Sequence, residues 1–164
     1  MDNYQIENIL YRNHMLRNIF KGCYINNNIP LGEISMNGES CYVINIVNNP
    51  NKMGHWVCFY FQNNTLFFFD SFGIHPNFYS GDIALLFNNY LGEKVIVVQN
   101  KIQSDRSNVC GGYVIWFINM MVKGKSYRFI RNFFNVNRIC NDAFIKRYIF
   151  AISRCIFKEH FLDC

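Results

Sequence analysis

Proline, charge and long apolar runs are all scarce in this chain. Of its 164 residues 3 are proline, and only 16% are Asp, Glu, Lys or Arg. No apolar stretch reaches the ~18 residues that a membrane span needs, so no membrane partner is expected. The start carries Asp2 and Glu7 and is amphipathic, which does not read as a signal peptide. The 7 cysteines are an odd number without a single CxxC pair, and no His or Cys pair has finger-like spacing. Neither a disulfide framework nor a zinc site is expected, but free thiols in a reducing interior are. Repeats and linkers are absent too, so residues 1–164 read as one domain. A chain of this length buries roughly 68–70% of its unfolded surface and needs no covalent staple.

What is present is apolar and aromatic. Hydrophobic residues make up 51% and aromatics 18%, ample for one core. The excess of Asn, Ile, Phe, Tyr and Lys follows AT-rich codons, so it carries little functional information. The net charge is +5, with most cations in the C-terminal half, among them Lys94, Lys101, Arg106, Lys123, Lys125, Arg128, Arg131, Arg138, Lys146, Arg147 and Arg154. Such a balance can serve a nucleic-acid partner through phosphate neutralisation. A solvated surface explains it equally simply.

The periodicities predict an α+β domain, helix first, then mixed strands, then helices. Residues 2–20 read as a helix, with Asp2 and Gln5 as a capping box. Residues 22–34 read as loop, punctuated by Gly22, Pro30 and Gly32, and 41–47 as a strand. "HWVCFYF" (55–61) and "TLFFFD" (65–70) read as a hairpin buried on both faces, hence central in the sheet. A short helix capped by Ser80 or Asp82 and ended by Gly92 follows, then a strand at 94–98. Helices are expected from Cys110 to Val122, from Ser126 to Phe134, and from Asn141 or Asp142 onward.

Within this frame "SNVCGGYVIWF" (107–117) places a thiol where a helix begins. The thiolate is the nucleophilic form, and both a helix N-terminus and a neighbouring imidazolium stabilise it. If the hairpin turns through "QN" or "FQNN", His55 pairs directly with Asp70 on one face, with Cβ atoms about 4.5–5.5 Å apart. A three-residue loop would instead send His55 to the other face. Gly111 and Gly112 would let backbone N–H groups approach a substrate carbonyl, and Gln103 could donate its amide to an oxyanion. Taken singly, each residue has a plainer explanation. A histidine in an aromatic strand is usually a hydrogen-bonded core residue, an Asp before "SFG" serves a turn, and a buried Cys is usually inert. The joint pattern is what is specific.

"GHWVCFYF…FFFDSFG…IQSDRSNVCGGYVIWF" resembles the adenovirus maturation proteases, the adenain-like cysteine endopeptidases. That family shares its fold class with the SUMO-deconjugating cysteine proteases. Both run His, acid, Gln, Cys along the chain, whereas papain-like enzymes place the Cys first. "FKGCYINNNIPLGEI" is similar to the family's segment before its first strand, and "NDAFIKRYIFAISRCIF" to its last helix. By position, the resemblance implies His55 as general base or imidazolium, Asp70 as its orienter, Gln103 as oxyanion donor and Cys110 as nucleophile. It implies that Trp56 narrows a substrate channel to glycine, with Gly111 beside it, so that cleavage falls at Gly-X-Gly or Gly-Gly sites. No cysteine lies between Cys58 and Cys110, where adenovirus enzymes anchor a disulfide-linked peptide activator.

The resemblance therefore implies a mixed central sheet flanked by helices, with the nucleophile at a helix N-terminus. The implied function is a viral cysteine endopeptidase that processes structural precursors during virion maturation. The alternative is an isopeptidase that removes SUMO or ubiquitin from target proteins. A third reading is a binding module in which Cys110 is structural. No cofactor is required, with a DNA or peptide activator left open. The expected partners are precursor polyproteins or capsid proteins, and the expected form is a monomer in the virion and host-cell interior, nucleus or cytoplasm. Resemblance and codon bias together imply a DNA virus or a Maverick-type element as source.

Overall fold

The computed structural model describes residues 1–34, 37–47, 54–98 and 100–159, the last four as backbone only. Helix α1 (Asn3–Arg12) leads into strand β1 (Phe20–Ile25), followed by β2 (Ser40–Asn45), β3 (Trp56–Gln62) and β4 (Thr65–Phe69). Helix α2 (Asp82–Asn89), strand β5 (Lys94–Val98) and helices α3 (Cys110–Val122), α4 (Tyr127–Phe133) and α5 (Arg138–Glu159) complete the chain. The five strands form one sheet in the order β1-β2-β3-β4-β5. The outer pairs β1–β2 and β4–β5 are parallel, and the inner pairs β2–β3 and β3–β4 are antiparallel.

Alternation in the inner strands feeds two cores. Trp56, Cys58, Tyr60, Phe67 and Phe69 point to α1, α3 and α5, whereas Val57, Phe59, Phe61, Leu66 and Phe68 point to α2. Both faces are therefore dry, as the continuous apolar runs require. Helix α3 is buried along nearly its whole length, which suits its all-round apolar sequence. Its Phe117 ring stacks on Phe69 of β4 at 4.5 Å and 6°, pinning the helix across the sheet. Among the described residues no helix is long and apolar enough to cross a membrane, no group of His, Cys, Asp or Glu has a metal-binding arrangement, and the six cysteines are free thiols.

Several expected boundaries shift, each for a local reason. The first helix stops at Arg12, where Asn13 turns extended (φ −77°, ψ 110°) and its Oδ1 accepts the N–H of Met15. The segment from Phe20 is a strand, not a loop. Gly22, read as punctuation, sits at φ +134° in a bulge where the β1–β2 register slips. Helix α2 is preceded by Gly81 at φ +67°, so neither Ser80 nor Asp82 caps it, and the Asp82 carboxylate instead accepts the N–H of Ile29 at 3.0 Å. It ends at Asn89, before Gly92. Helix α5 begins at Arg138, since Asn137 Oδ1 accepts the N–H groups of Ile139 and Cys140. Asn141 and Asp142 turn inward instead.

The hairpin register also differs from the expected one. The loop is Asn63–Asn64, both at positive φ (50° and 54°), the geometry of a two-residue turn that asparagine tolerates. Gln62 then pairs with Thr65, and Cys58 with Phe69. Continuing that ladder sets Val57 opposite Asp70. His55 and Asp70 thus lie on a diagonal, not directly across. The slip is an even one, so both residues keep a common face.

Candidate active site

His55 precedes the first residue of β3 and Asp70 follows the last residue of β4. Strict alternation would aim both toward α2, away from α3. Both lie beyond the last β3–β4 pair, Cys58–Phe69, so the pleat no longer dictates their direction. The diagonal is within the reach of two long side chains. His55 Nε2 meets Asp70 Oδ1 at 2.5 Å, with the two residues 8% and 1% exposed.

Asp70 is held on every side. Oδ1 also accepts the N–H of Phe72 (2.8 Å), while Oδ2 accepts the N–H of Ile74 (3.1 Å) and the hydroxyl of Tyr79 (2.7 Å). The plain turn role and the orienting role are both present, because the turn that Asp70 organises also fixes its carboxylate. Burial and the adjacent Asp70 push the Tyr79 hydroxyl well above its ordinary range, so Tyr79 stays a donor. The Phe72 ring lies 4.5 Å from the His55 ring and covers it.

With Nε2 committed to Asp70, Nδ1 of His55 is the nitrogen left for a thiol. It is buried and makes no hydrogen bond of regular geometry. Cys110, 8% exposed at the first residue of α3, lies close enough for thiol and imidazole to bias each other's protonation. Burial alone would raise the Cys110 thiol, but His55 and the backbone N–H groups of Trp56 and Gly111 outweigh it and bring it below its ordinary value. Burial alone would lower His55, but Asp70 and Cys110 push it up to about 9. Both shifts favour a thiolate–imidazolium pair. Other cysteines behave oppositely: desolvation lifts the half-buried Cys23 and the buried Cys41 and Cys58 well above the ordinary thiol range.

Gln103 is fully buried. Its Oε1 accepts the Ser71 hydroxyl at 2.6 Å, and its Nε2 donates one hydrogen to the Ser107 carbonyl at 2.8 Å. The N–H groups of Ile102 and Gln103 both donate to the Ser71 carbonyl, at 2.9 and 3.0 Å. The amide's orientation is thereby set, with a second Nε2 hydrogen unspent among the described hydrogen bonds. No direct bond joins Gln103 to Cys110.

Trp56 is 6% exposed and packs in the α3-side core, its indole N–H donating to the Met1 carbonyl at 3.1 Å. Gly111 and Gly112 differ most from expectation. A Cβ on Gly111 would lie 3.0 Å from Ile6 Cδ1 and 3.3 Å from Met1 Cβ, and one on Gly112 only 2.7 Å from Ile145 Cγ2. Their small size lets α1 and α5 close on α3, and both are buried there. The Gly111 N–H still faces the Cys110 sulfur.

Sequence reasoning passed over Ser71, Ser107 and Gly73. Gly73 sits at φ +70°, and a Cβ there would come within 2.8 Å of the Lys101 nitrogen and 2.9 Å of the Asn100 carbonyl carbon. The "DSFG" turn therefore touches the backbone of the loop that carries Gln103. Its signal in the sequence is "DSFG" itself, which the resemblance includes as a motif without giving Ser71 or Gly73 a role.

A five-stranded mixed sheet with a cysteine-headed helix packed on one face is an α+β fold that this chain shares with a solved protease. Among solved structures the chain is similar to the crystal structure of the ASFV pS273R protease, with 15% identity and a TM-score of 0.60, covering 79% of this chain and 60% of that one. At that identity the likeness is one of fold, and it does not single out the adenovirus maturation proteases. No known protein family pattern matches the sequence, and no curated protein is similar to it.

Proposed function

We propose that the chain is a cysteine endopeptidase that cleaves protein precursors, such as viral polyproteins or capsid proteins, beside small residues. The observation that carries this reading is geometric: His55, bonded to the buried Asp70 at 2.5 Å, stands by a buried cysteine at the first residue of α3, a setting that favours thiolate and imidazolium. In the reaction the Cys110 sulfur attacks the scissile carbonyl carbon, and the electron pair moves to oxygen. Gln103 Nε2 and the Cys110 N–H would stabilise that oxyanion. The C–N bond then breaks as His55 delivers its proton to the leaving amine. Water, deprotonated by His55, attacks the thioester, and the free carboxylate and thiol are regenerated.

The chemistry runs on the chain's own side chains, so a DNA or peptide activator would act by ordering the site, not by reacting. Low exposure of Cys110, His55 and Trp56 supports a narrow entry, favouring glycine next to the cleaved bond, at Gly-X-Gly or Gly-Gly sites. Virion maturation in an infected cell is the setting this reading fits.

The fold equally suits an isopeptidase, so the test uses both substrate classes. Purified protein is offered Gly-X-Gly and Gly-Gly peptides beside SUMO and ubiquitin vinyl-sulfone probes. Peptide cleavage that disappears in Cys110→Ala supports the endopeptidase. Labelling by the modifier probes alone would replace it with the isopeptidase. Cleavage that survives Cys110→Ala would remove Cys110 as nucleophile and leave it a structural residue.

A further inference from the structure

Asp142 is a buried carboxylate, 6% exposed, that the reaction above does not use. It lies near the start of α5, yet its bonds run to two other parts of the chain. Oδ2 accepts the hydroxyl of Ser104 and, at 3.4 Å, its backbone N–H. Oδ1 accepts the hydroxyl of Tyr113 at 2.8 Å. Ser104 directly follows Gln103, and Tyr113 stands one turn beyond Cys110 on α3. The Tyr113 oxygen is also 3.1 Å from the Ile102 carbonyl, but Asn141 Nδ2 already serves that carbonyl at 3.0 Å. The single Tyr113 hydroxyl hydrogen is therefore free to go to the carboxylate.

A buried carboxylate is costly unless its lone pairs are filled, and here each oxygen receives a hydroxyl. Asn141 adds a second tie by donating to the carbonyls of Ile102 and Asn135 (3.0 and 2.8 Å). The start of α5 thus clamps the Gln103 loop through bonds separate from those to Ser71. We propose that Asp142 is a positioning residue: by bonding Ser104 and Tyr113 together, it sets the distance between the Gln103 amide and the Cys110 sulfur. This rests on the endopeptidase reading. Its consequence falls on the oxyanion, because among the described hydrogen bonds none joins Asp142, Ser104 or Tyr113 to His55 or Asp70.

Two reagents separate the steps. Iodoacetamide alkylates the thiolate by displacing iodide and forms no oxyanion, whereas a peptide glycinal adds to the thiolate and places its oxygen where Gln103 would donate. In Asp142→Asn, kcat on the peptide should fall about 10- to 100-fold, the scale of a small displacement of one donor. KM should stay within about 2-fold, and the rate and pH midpoint of alkylation should not move. Glycinal affinity should fall in step with kcat. Adding Asp142→Asn to Gln103→Ala should cost nothing further. Should Asp142→Asn not fold, Ser104→Ala decides, with the same pattern at smaller size.

Unchanged kcat, alkylation falling in proportion to kcat, or additive losses in the double variant would each overturn the positioning role. Wild-type protein without Cys110-dependent cleavage would defeat the endopeptidase reading and this inference with it. Wild-type cleavage that Asp142→Asn retains would defeat the inference alone.

Discussion

His55 Nε2 and Asp70 Oδ1 stand 2.5 Å apart at the end of the sheet, although the ladder sets them on a diagonal. The carboxylate cannot swing, because Phe72, Ile74 and Tyr79 donate to its remaining positions. Holding Nε2 also holds the ring, which leaves Nδ1 as the nitrogen available to the thiol. Asp70→Asn keeps the shape but presents an amide where His55 needs an acceptor. Peptidase activity should fall at least about 10²-fold, the lower range for losing acid–base function. The His55 titration should move down from about 9, since the bond to Asp70 is the largest influence raising it. An NMR titration of the ring in Asp70→Asn checks this, and a histidine still titrating near 9 would refute it.

The pH dependence follows from the two shifts. Below the lowered Cys110 range the thiol is protonated and inert, and above about 9 His55 has lost the proton that the leaving amine needs. The activity profile should therefore be a bell whose alkaline limb falls near pH 9 and whose acid limb lies below the ordinary thiol range. Stability obeys the same sign. His55 binds its proton more tightly folded than unfolded, so that contribution is complete below about 6.5 and drains away as pH climbs through 9. The lowered thiol acts in reverse, stabilising above its unfolded range and losing that as pH falls through its folded one. Alkylation rate against pH, for wild type and His55→Ala, tests the ion pair. His55→Ala should move the midpoint upward.

The parts of the site that share one strand, one turn or one helix start were legible in the sequence. Cys110 opens its helix where the apolar run begins, and the hairpin was visible from its two aromatic strands. Its register was not, because "QNN" offers several turns and only backbone geometry selects Asn63–Asn64. His55 and Asp70 still meet, because they lie beyond the last β3–β4 pair at one end of the hairpin and their side chains reach across the diagonal. The long-range ties were hidden. Ser71 to Gln103 and Asp142 to Ser104 join segments far apart in the chain, and neither residue type announces such a bond. Strand β1 was missed because a bulged glycine and a loop glycine look alike in sequence.

Gly112 carries a prediction about packing, not chemistry. Its would-be Cβ meets Ile145 Cγ2 at 2.7 Å and Ile149 Cγ1 at 3.1 Å, atoms on the stiff branch of a β-branched side chain. Gly112→Ala must push α5 from α3, and overpacking of this kind costs roughly 1–3 kcal/mol. Denaturant unfolding should show that loss, and Ile145→Ala in the same chain should recover part of it. A Gly112→Ala protein of unchanged stability would mean that α5 does not sit this close to α3.

Gly73 joins backbone strain to the oxyanion. An alanine there faces φ +70°, a region that costs an L-residue about 1–2 kcal/mol, and its methyl would press on the backbone at Asn100 and Lys101. Backbone cannot rotate away as a side-chain tip can, so relief must come from moving the 100–103 loop away from the "DSFG" turn. That movement would stretch the bonds from Ile102 and Gln103 to the Ser71 carbonyl. Gly73→Ala should therefore lower both stability and kcat, by about tenfold or more in rate, as expected when an oxyanion donor is displaced. Iodoacetamide reactivity of Cys110 locates the damage, because Phe72 and Ile74 on either side of Gly73 donate to Asp70: a rate that holds places it at Gln103, and a rate that falls with kcat places it at the His55–Asp70 pair. Loss of stability without loss of kcat in the folded fraction would show that the turn supports the fold but does not govern the position of Gln103.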